Sequence, residues 1–149
     1  MQGDKKIDAL LERFGAFDDW EERYAELIKF GKEFPELDEK FQVDKFKVNG
    51  CQSQVWLYPQ LKAGKLQLSA ASDAVLVKGI ISLLVHVYTD RSPEEILQLK
   101  PDFLDQLGIR EHLSMNRSNG IMHMLKKIQT YALLFQSLVA KGINDVDEI

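Results

Sequence analysis

The run Val75–Tyr88 is apolar at nearly every position, interrupted chiefly by Lys78 and Gly79. It falls short of the roughly 20 apolar residues a membrane helix needs. A helix that is apolar on most sides is stable only when other elements enclose it. The run therefore predicts a buried core helix over about 74–88, N-capped by Ser72 or Asp73 and lying across whatever sheet the chain forms.

The flanking sequence supplies the enclosing elements. Ile7, Leu10, Leu11 and Phe14 follow helical spacing, and Gly15 stops that helix. Asp18, with Glu21 three residues on, opens a second helix whose apolar stripe is Trp20, Tyr24, Leu27 and Ile28. Its other face carries Asp18, Asp19, Glu21, Glu22 and Glu26, which suits either solvent or a basic partner. From Phe41 the hydrophobic period changes to two, with Phe46 and Val48 alternating with Lys45 and Lys47 as a first strand. Residues 55–58 read as a second strand ended by Pro59, and Leu66, Leu68 and Ala70 as a third after a turn at 62–65. Short connections between them predict a three-stranded antiparallel meander in chain order. Ser92-Pro93-Glu94-Glu95 is a capping box with proline at the first helical position, opening a short helix through Leu99, and another short turn spans 101–107. After a polar connection over 108–116, Ile121, Leu125, Ile128, Ala132, Phe135 and Val139 mark a long helix closed near Gly142. The acidic tail, 142–149, is expected to fray. With no repeat and no linker, residues 1–149 read as one α+β domain, a small antiparallel sheet packed against helices.

Cys51 is the only cysteine. A lone thiol cannot close an intrachain disulfide, act as a redox dithiol or build a Cys-rich metal site, and an iron–sulfur cluster needs about four mostly thiolate ligands. What remains is an inert buried residue or a nucleophile. Asn49-Gly50 before it and Gln52-Ser53 after it are turn formers, so the thiol stands at a loop tip between strands, where functional groups concentrate. A nucleophile here admits two chemistries. Acyl transfer calls for a partner imidazole from His86, His112 or His123, none of which forms a local Cys-His signature. Sulfur acceptance needs only attack by the thiolate on a sulfane sulfur carried by another protein's cysteine, with Lys47 or a distant arginine favouring the thiolate. The net charge of -4 and pI near 5.4 have the wrong sign for general nucleic-acid binding. The amphipathic opening is unlike a signal peptide and an unpaired thiol suits a reducing compartment, so a cytoplasmic protein with no membrane partner is expected.

The stretch Gly50-Cys51-Gln52-Ser53-Gln54-Val55-Trp56 resembles the signature of the SufE family, sulfur acceptors that work with a cysteine desulfurase in iron–sulfur cluster assembly. Further blocks fall in the family's order and spacing: Trp20-Glu21-Glu22-Arg23-Tyr24, Ser72-Asp73-Ala74 with Val77-Lys78-Gly79, and His112-Leu113-Ser114 with Arg117-Ser118-Asn119-Gly120. The resemblance covers about residues 5–140. It implies a three-stranded antiparallel sheet flanked by helices, shared with the cluster scaffolds. It also implies that Cys51 takes persulfide sulfur from a pyridoxal-phosphate-dependent desulfurase, raises that enzyme's turnover and passes the sulfur to a scaffold. The pyridoxal phosphate would belong to the partner, since this chain shows no lysine context or phosphate-cradling glycine loop of its own. No metal or cofactor is expected here, and a homodimer stays open.

Carried over residue by residue, the acceptor is Cys51 and its desulfurase-contacting loop is Gly50, Gln52 and Ser53. The aspartate that holds the cysteine loop falls on Asp73, and the arginine facing the desulfurase active site falls on Arg117, with His112 in the same segment. Plainer readings stand beside these: Asp73 as a helix cap, Arg117 as a solvated cation near a helix start, Gly120 as a frayed helix end rather than a place of close backbone approach. Because small thiols strip persulfides, Cys51 is expected to be recessed behind Val55, Trp56 and the helix from Ala74, with its loop moving out on docking. A carrier, a cysteine-dependent acyl-transfer enzyme using Cys51 with a histidine, and an interaction domain with an inert thiol are the three competing functions.

Overall fold

The computed structural model describes residues 4–147. The elements follow in the order α1 (Lys5–Gly15), α2 (Trp20–Glu33), β1 (Val55–Lys62), β2 (Lys65–Ser72), α3 (Val75–Tyr88), α4 (Pro93–Gln98), α5 (Asp102–Gln106) and α6 (Met115–Ala140), with 3-10 turns at Glu39–Phe41, Asp44–Phe46 and Arg110–His112.

The apolar helix α3 lies at the centre, touching α1, α2, α6 and both strands. Ile81, Leu83, Leu84, Val85 and Val87 are fully shut from solvent, and burying each such side chain contributes about 1.5–3 kcal/mol. Two glycines bring α2 against α3. A Cβ on Gly31 would stand 2.6 Å from the Gly79 nitrogen, and one on Gly79 would collide with the Leu27 carbonyl oxygen, so the helices meet backbone to backbone. Lys78, the charge inside the apolar run, donates from Nζ to the carbonyls of Gly31 at 2.9 Å and Phe34 at 3.3 Å. It thereby closes the C-terminus of α2 with a cation at the negative end of the helix dipole. The cap expected for α3 at Ser72 or Asp73 is replaced by Ala74, which makes no side-chain cap bond. For α2 the cap is Asp19 rather than Asp18.

Among the described residues the sheet has two strands, not three. β1 and β2 form an antiparallel hairpin closed by Ala63 and Gly64, both in the left-handed region at φ 50° and 76°, as a two-residue turn of this hand requires. Pro59 does not end β1. It faces Leu68, whose N–H goes to the Thr89 hydroxyl at 2.9 Å, so this pair exchanges no ladder bonds and the missing proline N–H costs nothing. The first expected strand is reduced to a single bridge, Lys47 opposite Trp56, with the Val48 N–H donating to the Val55 carbonyl at 2.8 Å. A strand would have put Phe46 and Val48 on one face. The 3-10 turn at Asp44–Phe46 separates them: Val48 enters the main core, while Phe46 joins Phe41 and Tyr58 in an aromatic cluster behind the sheet.

Short pairings cover both edges of the hairpin. Leu66 receives Arg91 on one side, and on the other Leu61 and Val146 exchange bonds of 2.9 and 2.8 Å. Val146 belongs to the tail expected to fray. As far as Asp147 that tail instead lies along β1, with the Ala63 N–H donating to the Asp145 carboxylate at 3.0 Å and the Tyr58 hydroxyl to the Asp147 carbonyl. It hides an edge that would otherwise present unpaired backbone groups. Residues 148 and 149 fall outside the described region. α6 starts at Met115, inside the polar connection expected over 108–116, on a Ser114 cap that accepts from the Arg117 N–H at 3.3 Å. Among the described residues no helix is long and apolar enough to cross a membrane.

Candidate functional site

The loop bearing Cys51 leaves the Lys47–Trp56 bridge and enters β1, and its two arms are held differently. On the entry arm Gly50 has φ 92°, a backbone that favours glycine. A Cβ there would stand 2.5 Å from Cδ2 and Nε2 of His123 and 2.7 Å from Cγ, so the imidazole lies flat against the glycine. On the exit arm the Gln54 N–H donates to the Asp73 carboxylate at 3.0 Å, and the Gln54 carbonyl accepts from the Asp73 N–H at 3.2 Å and the Ser72 hydroxyl at 2.8 Å. Asp73 therefore spends its side chain on the loop rather than on the helix it precedes.

Between the arms, the half-buried Cys51 points at α6 and its thiol donates to the Gly120 carbonyl at 3.6 Å. A Cβ on Gly120 would lie 3.4 Å from Sγ, an ordinary contact, so the sulfur sits against the bare backbone of this turn of α6. The thiol opens on a pocket of about 50 Å³ lined by Gln52 and Ser53 of the loop, Val77 and Ile80 of α3, and Asn116, Arg117, Gly120 and Met124 of α6. A water needs roughly 10–15 Å³ by this measure, whereas small-molecule sites run to about 300 Å³ and more. The space suits an added atom or two, not an acyl substrate. Burial pushes the Cys51 thiol up from its ordinary pKa, which keeps it protonated and unreactive while recessed.

Val55 and Trp56, the walls expected from the sequence, do not line this pocket. Val55 is wholly buried in the main core, and Trp56 packs on the aromatic cluster behind the sheet, because alternation along β1 turns it away from the loop. α6 takes their place. Arg117 is exposed in its first turn with no ion-pair partner among the described residues. A cation there opposes the helix dipole, so helix stability does not explain it. His112 stays away from the thiol, its ring stacked on Trp20 at 4.3 Å. His86 meets Phe30 edge-on at 5.6 Å, and burial, with Lys6 and Arg13 adding to it, holds its pKa below the usual imidazole value. Among the described residues no histidine hydrogen-bonds to Sγ, and no three His, Cys, Asp or Glu side chains gather as a metal site.

Sequence reasoning misses Asn116, Met124 and the clamp-like His123 as neighbours of the loop. The available signal is helical spacing around Gly120: positions 116, 120, 123 and 124 share one face of α6.

Comparison with known proteins supplies the family. The family model described as SufE, Fe-S metabolism associated domain, matches residues 8–132. An uncharacterised SufE-like protein of Synechocystis is 37% identical over 127 residues, which is 85% of this chain and 80% of that one. Another from Rhizobium meliloti is 32% identical over 131 residues, covering 85% and 94%. SufE-like protein 1, chloroplastic/mitochondrial, of Arabidopsis thaliana is 36% identical over 141 residues, 94% of this chain but 37% of that longer one. The solution structure of a hypothetical protein from Thermus thermophilus shares the fold with a TM-score of 0.73 at 23% identity, covering 89% of this chain and 96% of that one. The chain belongs to the SufE family, whose domain is associated with iron–sulfur metabolism.

Proposed function

We propose that this protein is a sulfur acceptor that takes persulfide sulfur from a cysteine desulfurase onto Cys51, stimulates that enzyme by clearing its product, and delivers the sulfur to an iron–sulfur scaffold. The observation that carries this reading is the seat of Cys51: a recessed thiol on a pinned loop, over a pocket of about 50 Å³, beside an arginine with no ion-pair partner among the described residues. Docking draws the loop out, solvation returns the thiol towards its ordinary pKa, and Arg117 stabilises the thiolate. The thiolate attacks the outer sulfur of the donor's Cys–S–SH. The new S–S bond forms as the donor's breaks, the electron pair leaves on the donor sulfur, and the proton lost by Cys51 is available to that thiolate. One neutral sulfur atom changes carriers with no net oxidation. When the loop returns, the pocket shelters the outer sulfur from small thiols. Gly50, Gln52 and Ser53 meet the donor, and the pyridoxal phosphate that releases sulfur from free cysteine stays with the desulfurase.

The acyl-transfer reading lacks both a Cys-His pair among the described residues and room for a substrate. Steady-state desulfurase turnover, read as alanine released, tests the proposal. The native chain is expected to raise turnover saturably, Cys51→Ser to lose the stimulation, and Arg117→Ala to weaken it without lowering Tm. Equal stimulation by Cys51→Ser would overturn the proposal.

A further inference from the structure

The Val48 N–H bond to the Val55 carbonyl at 2.8 Å closes the base of the Cys51 loop, and beyond it the two arms are fastened with unequal strength. Three hydrogen bonds tie Gln54 to Ser72 and Asp73 at the exit. The thiol adds one long bond of 3.6 Å to Gly120. At the entry, the side-chain contact made with Gly50 is the face of His123, set one turn along α6 from Gly120. His123 is exposed and its imidazole makes no hydrogen bond or ion pair among the described residues, so no polar partner holds the ring against the loop.

We propose that His123 is a clamp that sets how often Cys51 is presented, and that the loop opens at its entry arm, swinging about the Gln54–Asp73 pin. A rotamer change of His123 removes a flat surface from Gly50. The left-handed backbone of Gly50 then unwinds, and Cys51 leaves Gly120 while Gln54 stays bonded. Opening at the exit instead would break three hydrogen bonds at once. The clamp acts through the loop and touches no reacting atom, so His123 is a positioning residue. Its consequence for sulfur transfer rests on the acceptor reading above, but the clamp itself depends only on geometry and is measurable without a desulfurase.

Alkylation of Cys51 by iodoacetamide in the native chain reports the open fraction. His123→Ala is expected to alkylate roughly three- to tenfold faster, the shift given when a two-state loop loses the roughly five to ten atom contacts that a ring face makes with the backbone beneath it. Tm is expected to hold, since the ring is exposed. His123→Phe, which keeps a flat ring, should restore the slow rate, and Lys126→Ala on the same face of α6 should leave it alone. Hydrogen exchange should show the Gln54 amide, bonded to the Asp73 carboxylate, still protected in His123→Ala. Gly50→Ala should speed alkylation strongly in the native background and less in His123→Ala, because part of its effect is the collision with the ring. An unchanged rate in His123→Ala, or loss of Gln54 protection in that variant, would overturn the clamp. If the native chain never takes up sulfur, the acceptor reading fails while the alkylation result still decides the clamp.

Discussion

Replacing Gly120 by alanine sets stability against function at one atom. Gly120 lies inside α6, where alanine is favoured over glycine by about 0.8–1.0 kcal/mol. The added methyl would meet Cys51 Sγ at 3.4 Å and its Cβ at 4.0 Å, both ordinary contacts, so the helix gain is largely kept. For a chain of this length about 1 kcal/mol raises Tm by roughly 2–4 °C. The same methyl would stand in the wall of the pocket of about 50 Å³ beside the thiol and take room from any atom held there. A terminal sulfur returning there is overpacked, at a cost of about 1–3 kcal/mol, which reduces the sheltered fraction roughly five- to 150-fold. Thermal melts of the thiol form and the decay of the Cys51 persulfide in glutathione, followed by intact mass, read the two effects. The expected outcome is a higher Tm with a much shorter persulfide lifetime. A variant that melts higher yet shelters its sulfur as long as the native chain would refute the reasoning about the pocket.

Gly79→Ala should be costly, because its methyl strikes backbone on α2: overpacking of about 1–3 kcal/mol or more exceeds the helix-propensity gain of about 1 kcal/mol, so the urea midpoint should fall, and an unchanged midpoint counts against the backbone-to-backbone crossing. The raised pKa of Cys51 predicts that alkylation climbs with pH along a curve displaced above that of a free thiol. It also predicts that folding stability declines as pH rises through the thiol range, since the unfolded thiol ionises first; Cys51→Ser should lessen that decline, to which the buried Tyr88 and Tyr131 hydroxyls add at higher pH, and an unshifted alkylation curve would sink the prediction. On the acid side the lowered pKa of His86 makes stability fall below the ordinary imidazole range, where the unfolded chain binds the proton first, so His86→Gln should flatten the urea midpoint against pH there; an unaltered slope contradicts it.

Much of this architecture is legible in the residues. The capping box at Ser92 and Glu95 forms as read, because both partners lie three residues apart and need nothing from the rest of the chain. The enclosure of α3 follows from composition alone. What the sequence hides depends on distant partners. Pro59 looks like a strand end, yet its tolerance depends on Thr89 answering the opposite N–H. Lys45, Phe46, Lys47 and Val48 alternate like a strand, yet they coil so that Phe46 can reach Tyr58. The tail looks like charged fray because its use, covering β1, is a backbone pairing that side chains do not announce.

At the site, the loop sequence itself marks Cys51, and Gly120 already hints at close approach. The contact of His123 with Gly50 joins distant parts of the chain and depends on the orientation of α6, whose polar first turn disguises where the helix begins. The sequence offers Asp73 a cap role and a loop-holding role. Its carboxylate bonds the Gln54 N–H, while Ala74 occupies the cap position.

The most direct test is the intact mass of the native chain after incubation with a cysteine desulfurase and free cysteine. The account predicts one added sulfur atom, localised to Cys51, released by reductant and absent from Cys51→Ser. A native chain that never gains sulfur, or a serine variant that gains it equally, contradicts the account.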